Sequence, residues 1–177
     1  MSTRLPDYDY RFGAFFFTLV TENRLPIFGR IINKEIQLSR EGMIVKEEWL
    51  RTPIIRQEVE LDEWIIMPDH FHAIVFMDGF KTMGDGGHVG GDCCRPCPSN
   101  DGTIPDNKYR IQSIQPLNRS LARIISQFKA TTTRRINEIH QTPKKPVWQR
   151  GYDERIIRNE VQLDKLREYI RTNPERE

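Results

Sequence analysis

Apolar and polar positions along the chain change period several times, and each change predicts an element. "RFGAFFFTLVT" from Arg11 gathers aromatic and β-branched residues without helical spacing, which predicts a buried strand. "LSREGMIVKEEWLRTPIIRQ" offers Ser39 as an N-cap, followed by Met43, Ile44, Leu50 and Ile54 at mixed helical spacing, and predicts a helix from about Arg40 to Arg51. "EVELDEWIIM" and "HFHAIVFM" are two short β-rich segments with Pro68-Asp69 between them, close enough to pair antiparallel. In "LNRSLARIISQFKATTTRRINEIH", Leu117, Leu121, Ile124, Ile125, Phe128, Ile136 and Ile139 recur at helical spacing and predict a long amphipathic helix, with Arg119, Arg123 and Arg134 on the opposite stripe. "PVWQRGYDERIIR" reads as a further strand. Asn159 and Gln162 form a cap pair opening a last short helix, which is expected to stop at Asn173 because the residue before Pro174 is pushed out of helical geometry. This order predicts an α+β fold, with helices packed on an antiparallel sheet.

Between Asp78 and about Pro116 the pattern is lost. "GDGGHVGGDCCRPCPSNDG" is rich in glycine, proline and small polar residues, and it cannot bury enough surface to offset its ordering entropy. The expectation is therefore one domain over residues 1–177 with a flexible insertion at about 79–116. A chain of 177 residues sustains one well-buried core.

Composition narrows the class. With 29% charged and 37% apolar residues, the chain reads as a soluble globular protein. Its longest apolar run, Ala14 to Val20, is too short to cross a bilayer, and the N-terminus lacks a signal-peptide pattern, so a cytoplasmic location without a membrane partner is expected. Three cysteines, Cys93, Cys94 and Cys97, cluster with His88 nearby. They lack the second matched pair that a structural zinc site needs, and reduced thiols are the simpler reading.

Net charge is only +2, but it is unevenly spread. Met1 to Asp78 carries 9 basic and 13 acidic residues, whereas Arg119 to Arg158 carries 10 basic and 3 acidic, a local excess of +7. That excess fits either a polyanion footprint or a solvated helix face.

The chemistry centres on "MPDHFHAIV". On a strand, His70 and His72 project to the same side and can hold one metal ion between two neutral imidazoles. Two nitrogens bind a metal poorly, so a third ligand must come from elsewhere. On the last helix, Tyr169 and Asn173 are four residues apart and share a face, with Lys165 one turn earlier. An amide oxygen from Asn173 would complete a two-nitrogen, one-oxygen site with Tyr169 beside it. A half-exposed strand, a rim tyrosine and an ordinary helix stop explain the same residues singly.

Taken together, "MPDHFHAIV", "SLARIISQFKATTTRRIN", "WQRGYDERIIRNE" and "YIRTNP" closely resemble the single-tyrosine HUH transposases of the IS200-like superfamily, in particular the REP-associated tyrosine transposases. The resemblance covers nearly the whole chain outside the insertion. It implies a ferredoxin-like, RRM-like antiparallel sheet carrying the HUH pair on a central strand, with His70, His72 and Asn173 as metal ligands and Tyr169 as nucleophile. It also implies Mg²⁺ or Mn²⁺ as cofactor and single-stranded DNA beside a REP-like hairpin as substrate, cleaved and rejoined through a 5′-phosphotyrosine. Arg119, Arg123, Lys129, Arg134, Arg135 and Arg150, with Lys144 and Lys145, are the candidates to track phosphates. Members act as homodimers or as monomers, and no residue here decides between them. Two alternatives stay open: a domesticated hairpin-binding protein without turnover, and a His-x-His metal hydrolase.

Overall fold

The computed structural model describes residues 13–77 and 120–175. The predicted insertion at about 79–116, including His88 and all three cysteines, lies outside the described residues. So does Arg119. Those described belong to one compact unit.

The aromatic segment forms strand β1 (Gly13–Val20), and alternation decides what each side chain meets. Phe15, Phe17 and Leu19 are buried on one face of the sheet and Phe16 on the other. After a short 3₁₀ turn, a small hairpin of β2 (Gly29–Ile32) and β3 (Glu35–Leu38) leads into helix α1 (Arg40–Ile55). Hydropathy did not predict that hairpin, because its strands are only four residues long and half-buried, too short to set up a clear period. Ser39 caps α1 as expected, its hydroxyl accepting from the Gly42 amide at 3.1 Å.

The helix runs one turn further than expected, to Ile55, and carries Pro53 in its last turn. Thr52 keeps that turn closed, with its hydroxyl donating to the Glu48 carbonyl and its own carbonyl accepting from the Arg56 amide at 2.8 Å.

Strands β4 (Val59–Ile66) and β5 (His70–Met77) pair antiparallel across the Pro68-Asp69 turn, closed by the Met67 amide on the His70 carbonyl. Helix α2 (Leu121–His140) then precedes β6 (Asp153–Ile157) and helix α3 (Glu160–Thr172). Only the C-terminal part of the predicted strand "PVWQRGYDERIIR" is β6; Trp148 makes an isolated bridge to Thr21 instead. The α3 cap pair forms as read: the Asn159 side chain accepts from the Gln162 amide, and the Gln162 side chain accepts from the Arg158 amide. Helix α3 stops at Asn173 as expected, but Asn173 does not leave helical geometry. It stays right-handed helical and passes into a 3₁₀ turn, its amide bonding the Ile170 carbonyl, so Pro174 tightens the helix end rather than straightening it.

The larger sheet has the order β4-β5-β1-β6 and is antiparallel throughout. Two apolar clusters define its faces. Helices α1 and α2 cover one, where Trp49 meets Phe71 and Phe128 edge-on at 5.1 and 5.4 Å between ring centroids. Helix α3 covers the other, packing Leu163 and Ile170 on Phe16, Ile74 and Ile157. The architecture is α+β, and the strand bearing both histidines is central. Among the described residues, no helix is long and apolar enough to cross a membrane.

Candidate active site

The antiparallel register fixes the site. Val20 lies opposite His70 and Thr18 opposite His72, so all four side chains share the α3 face. Both histidines are buried, with ring centroids 4.7 Å apart. His72 stacks on Phe16 at 5.4 Å, and its Nδ1 lies 2.8 Å from the Thr18 hydroxyl. His70 Nδ1 is hydrogen-bonded to the carboxylate of Asp69. Each Nδ1 thus has a protein partner. Burial, with His70 alongside, pushes His72 down to about 3 despite the opposing charge of Asp69. Such an imidazole stays neutral at ordinary pH and is a better ligand than proton acceptor.

Helix α3 brings Tyr169 onto this pair. Its hydroxyl lies 3.4 Å from His72 Nε2, and its ring packs edge-on against both His72 and Phe16. What holds the helix there begins as an irregularity in β4. Between Leu61 and Trp64 the register slips by one residue, a bulge that contains Asp62 and Glu63. Arg167 donates to Asp62 at 2.8 Å and Arg171 to Glu63, clipping α3 to the edge strand on either side of Tyr169 in sequence. Arg167 is pushed above its ordinary pKa chiefly by that hydrogen bond.

Asn173 follows Tyr169 by one helical turn and is buried, 5% exposed. Among the described residues, no three His, Cys, Asp or Glu side chains are grouped to hold a metal ion. A metal on the histidine pair would therefore need a donor of another type, and Asn173, buried one helical turn after Tyr169, is the candidate on this helix. The donor set, two neutral nitrogens and an amide oxygen, suits a divalent ion with coordination positions left for water or phosphate. Lys165 is exposed on the helix.

The basic residues divide. Arg123, Arg134 and Arg150 are exposed, as are Lys144 and Lys145. Lys129 is instead half-buried, its ammonium donating to the Gln149 and Gly151 carbonyls at 2.7 and 2.8 Å, and burial lowers its pKa. Arg135 bridges α2 to Glu47 and Glu48 on α1. Those two cations already serve the fold. Arg134 and Lys144 line an open groove of about 820 Å³ between the end of α2 and the segment 141–148, walled by Pro143, Pro146 and Trp148. Helix α2 lies across the sheet from Tyr169, but the segment after it returns to the histidine end. The Glu22 amide bonds the Val147 carbonyl and the Gln149 amide the Val20 carbonyl, with Val20 directly opposite His70.

Sequence reading missed Thr18, Asp69, Phe16 and the Arg167 and Arg171 clips. Asp69 carried a signal, an acidic residue directly before His70. The others depend on register and on a bulge that hydropathy does not encode.

Residues 111–173 match the family model described as "Transposase IS200 like". A protein of Haemophilus influenzae, described only as uncharacterized, is 33% identical over 177 residues, covering 98% of this chain and 87% of its own. The chain belongs to the IS200-like transposase family. Among solved structures, that of a REP-associated tyrosine transposase bound to a REP hairpin matches with a TM-score of 0.58 at 18% identity, covering 99% of this chain and 74% of that one. At that identity the match establishes the shared fold.

Proposed function

We propose that this transposase cleaves and rejoins single-stranded DNA through a covalent bond to Tyr169. The carrying observation is the convergence of Tyr169 from α3 and the two histidines from β5 on one sheet face, with the phenol oxygen 3.4 Å from His72 Nε2. His70, His72 and Asn173 would hold a divalent ion. Bound there, Mg²⁺ or Mn²⁺ would polarise a non-bridging oxygen of the scissile phosphate and offset charge developing on it.

The chain's own residues account for the rest. Tyr169 loses its proton and its oxygen attacks phosphorus, forming a 5′-phosphotyrosine while the 3′ oxygen leaves and takes up a proton as a hydroxyl. Reversal of that step with another 3′-hydroxyl rejoins the strand, so the phosphodiester energy is conserved. Phe16, whose ring packs on both His72 and Tyr169, walls one side of the site. The Arg167 and Arg171 clips hold the nucleophile's helix in register with the histidines.

The substrate that fits this reading is single-stranded DNA next to a hairpin; the structural relative is bound to a REP hairpin. Of the candidate cations, Arg123, Arg134, Arg150, Lys144 and Lys145 are exposed and available for phosphates, and the segment 141–149 offers a route from the α2 groove round to the His70 end of the sheet.

The test uses end-labelled hairpin DNA with a single-stranded flank, in Mg²⁺ or Mn²⁺. A denaturation-resistant protein–DNA adduct is expected from the native chain and none from Tyr169→Phe. Cleavage without adduct would indicate a hydrolase, binding without cleavage a hairpin-binding protein, and an adduct surviving the substitution a different nucleophile.

A further inference from the structure

We infer that Asp69 is a positioning residue for His70: it fixes the imidazole as the Nδ1–H tautomer and so keeps the Nε2 lone pair available on the ring's other edge. A neutral imidazole carries one proton on either of two nitrogens, and only the bare one can bind a metal or accept a proton. A carboxylate only accepts. The hydrogen bond between His70 Nδ1 and Asp69 Oδ1 therefore requires the proton on Nδ1.

Asp69 is itself held on three sides. Its carbonyl accepts from the Thr21 amide at 2.8 Å and from the Thr21 hydroxyl at 2.9 Å, and Thr21 is fully buried. Its second carboxylate oxygen accepts from Arg24 at 3.4 Å. The turn that carries it is closed by the Met67 amide on the His70 carbonyl. The backbone that carries the carboxylate is thus fixed beside the ring, and the carboxylate on Nδ1 sets both tautomer and orientation.

At His72 the neighbour is a hydroxyl, Thr18, which can either donate or accept. That contact leaves the tautomer open, so the anchoring of the pair falls to Asp69. The consequence for metal affinity rests on the reading of the pair as ligands; the tautomer itself does not.

The experiment measures long-range ¹H–¹⁵N correlations of histidine side chains in the metal-free full-length protein at about pH 8, then Mn²⁺ affinity by titration. His70 is expected as the Nδ1–H form in the native chain. Asp69→Ala should let the Nε2–H form appear and weaken Mn²⁺ binding roughly 10- to 100-fold. Asp69→Asn retains an acceptor oxygen and should restore both readouts to within about threefold. Arg24→Ala, which removes only the ion pair on the other carboxylate oxygen, should leave the tautomer unchanged. An Nε2–H His70 in the native protein, or an unchanged tautomer in Asp69→Ala, overturns the assignment. Should Asp69→Ala fail to fold, the native and Asp69→Asn spectra still decide it. A native chain with the expected tautomer but no Mn²⁺ binding would overturn the metal reading and leave the role of Asp69 standing.

Discussion

The Tyr169 hydroxyl and His72 Nε2 stand 3.4 Å apart although 97 residues separate them in sequence. On the proposed reading a metal would take that nitrogen with the His72 proton on Nδ1, so tyrosine and metal would compete for one lone pair. Tyr169→Phe removes the competitor while keeping the ring that packs on His72 and Phe16. Mn²⁺ should then bind as tightly as in the native chain or up to about tenfold more tightly, the scale of one net hydrogen bond. His72→Ala should abolish tight binding. Isothermal titration of both variants checks this, and a large loss of affinity in Tyr169→Phe would mean that the phenol is itself a ligand.

The two arginine clips predict a separation of activity from stability. Asp62→Ala releases Arg167 from β4, leaving it Asp164 on its own helix, and removes a partly exposed pair worth at most about 1 kcal/mol to folding. Because Arg167 and Arg171 flank Tyr169, a loosened α3 should slow adduct formation by much more than the stability loss accounts for. Hydrogen exchange should rise along α3 and not along α2. Uniform acceleration through both helices would assign the pair to general stability rather than to placement of the nucleophile.

That His70 and His72 share one strand face and Tyr169 and Asn173 one helix face was legible from sequence, while the contacts around them were not, and the difference follows from the range of each interaction. Strand alternation puts His70 and His72 on one side, and helical spacing puts Tyr169 and Asn173 on one face; both are local rules. That α3 covers the histidine face depends on the β4-β5-β1-β6 order, which no local pattern states. Thr18 reaches His72 only through the β1–β5 register, and Asp62 and Glu63 meet the α3 arginines at a bulge. The basic stripe shows the same limit. Arg134 and Arg135 are neighbours in sequence, yet one is exposed beside the groove while the other is spent on Glu47 and Glu48.

Gly42 offers a test of packing against propensity. Alanine in an exposed helix normally gains up to about 1 kcal/mol over glycine. Here an added Cβ would lie 2.1 Å from the Phe28 carbonyl oxygen and 3.1 Å from a Leu38 methyl. That carbonyl accepts from the Ser39 amide at 2.9 Å, so displacing it also disturbs the cap of α1. Gly42→Ala should lower stability by about 1–3 kcal/mol in denaturant unfolding. A neutral or stabilising result would show that the approach of the β2 end to α1 is looser than this geometry.

Acid should expose the contact between Glu41, in the first turn of α1, and His140, the last residue of α2. Burial pushes the Glu41 carboxyl up, but hydrogen bonds from its own backbone and from Ser39, together with His140, outweigh it and leave the group below its ordinary 4.5. A folded-state pKa below the unfolded one gives stability that is fully present above the unfolded value and lost as pH falls through the folded value. Glu41→Gln removes that dependence. The melting temperature of the native chain should exceed that of the variant at about pH 6, and the two curves should converge as pH falls from about 5 towards 3. Parallel curves over that range would place the acid sensitivity on other carboxylates.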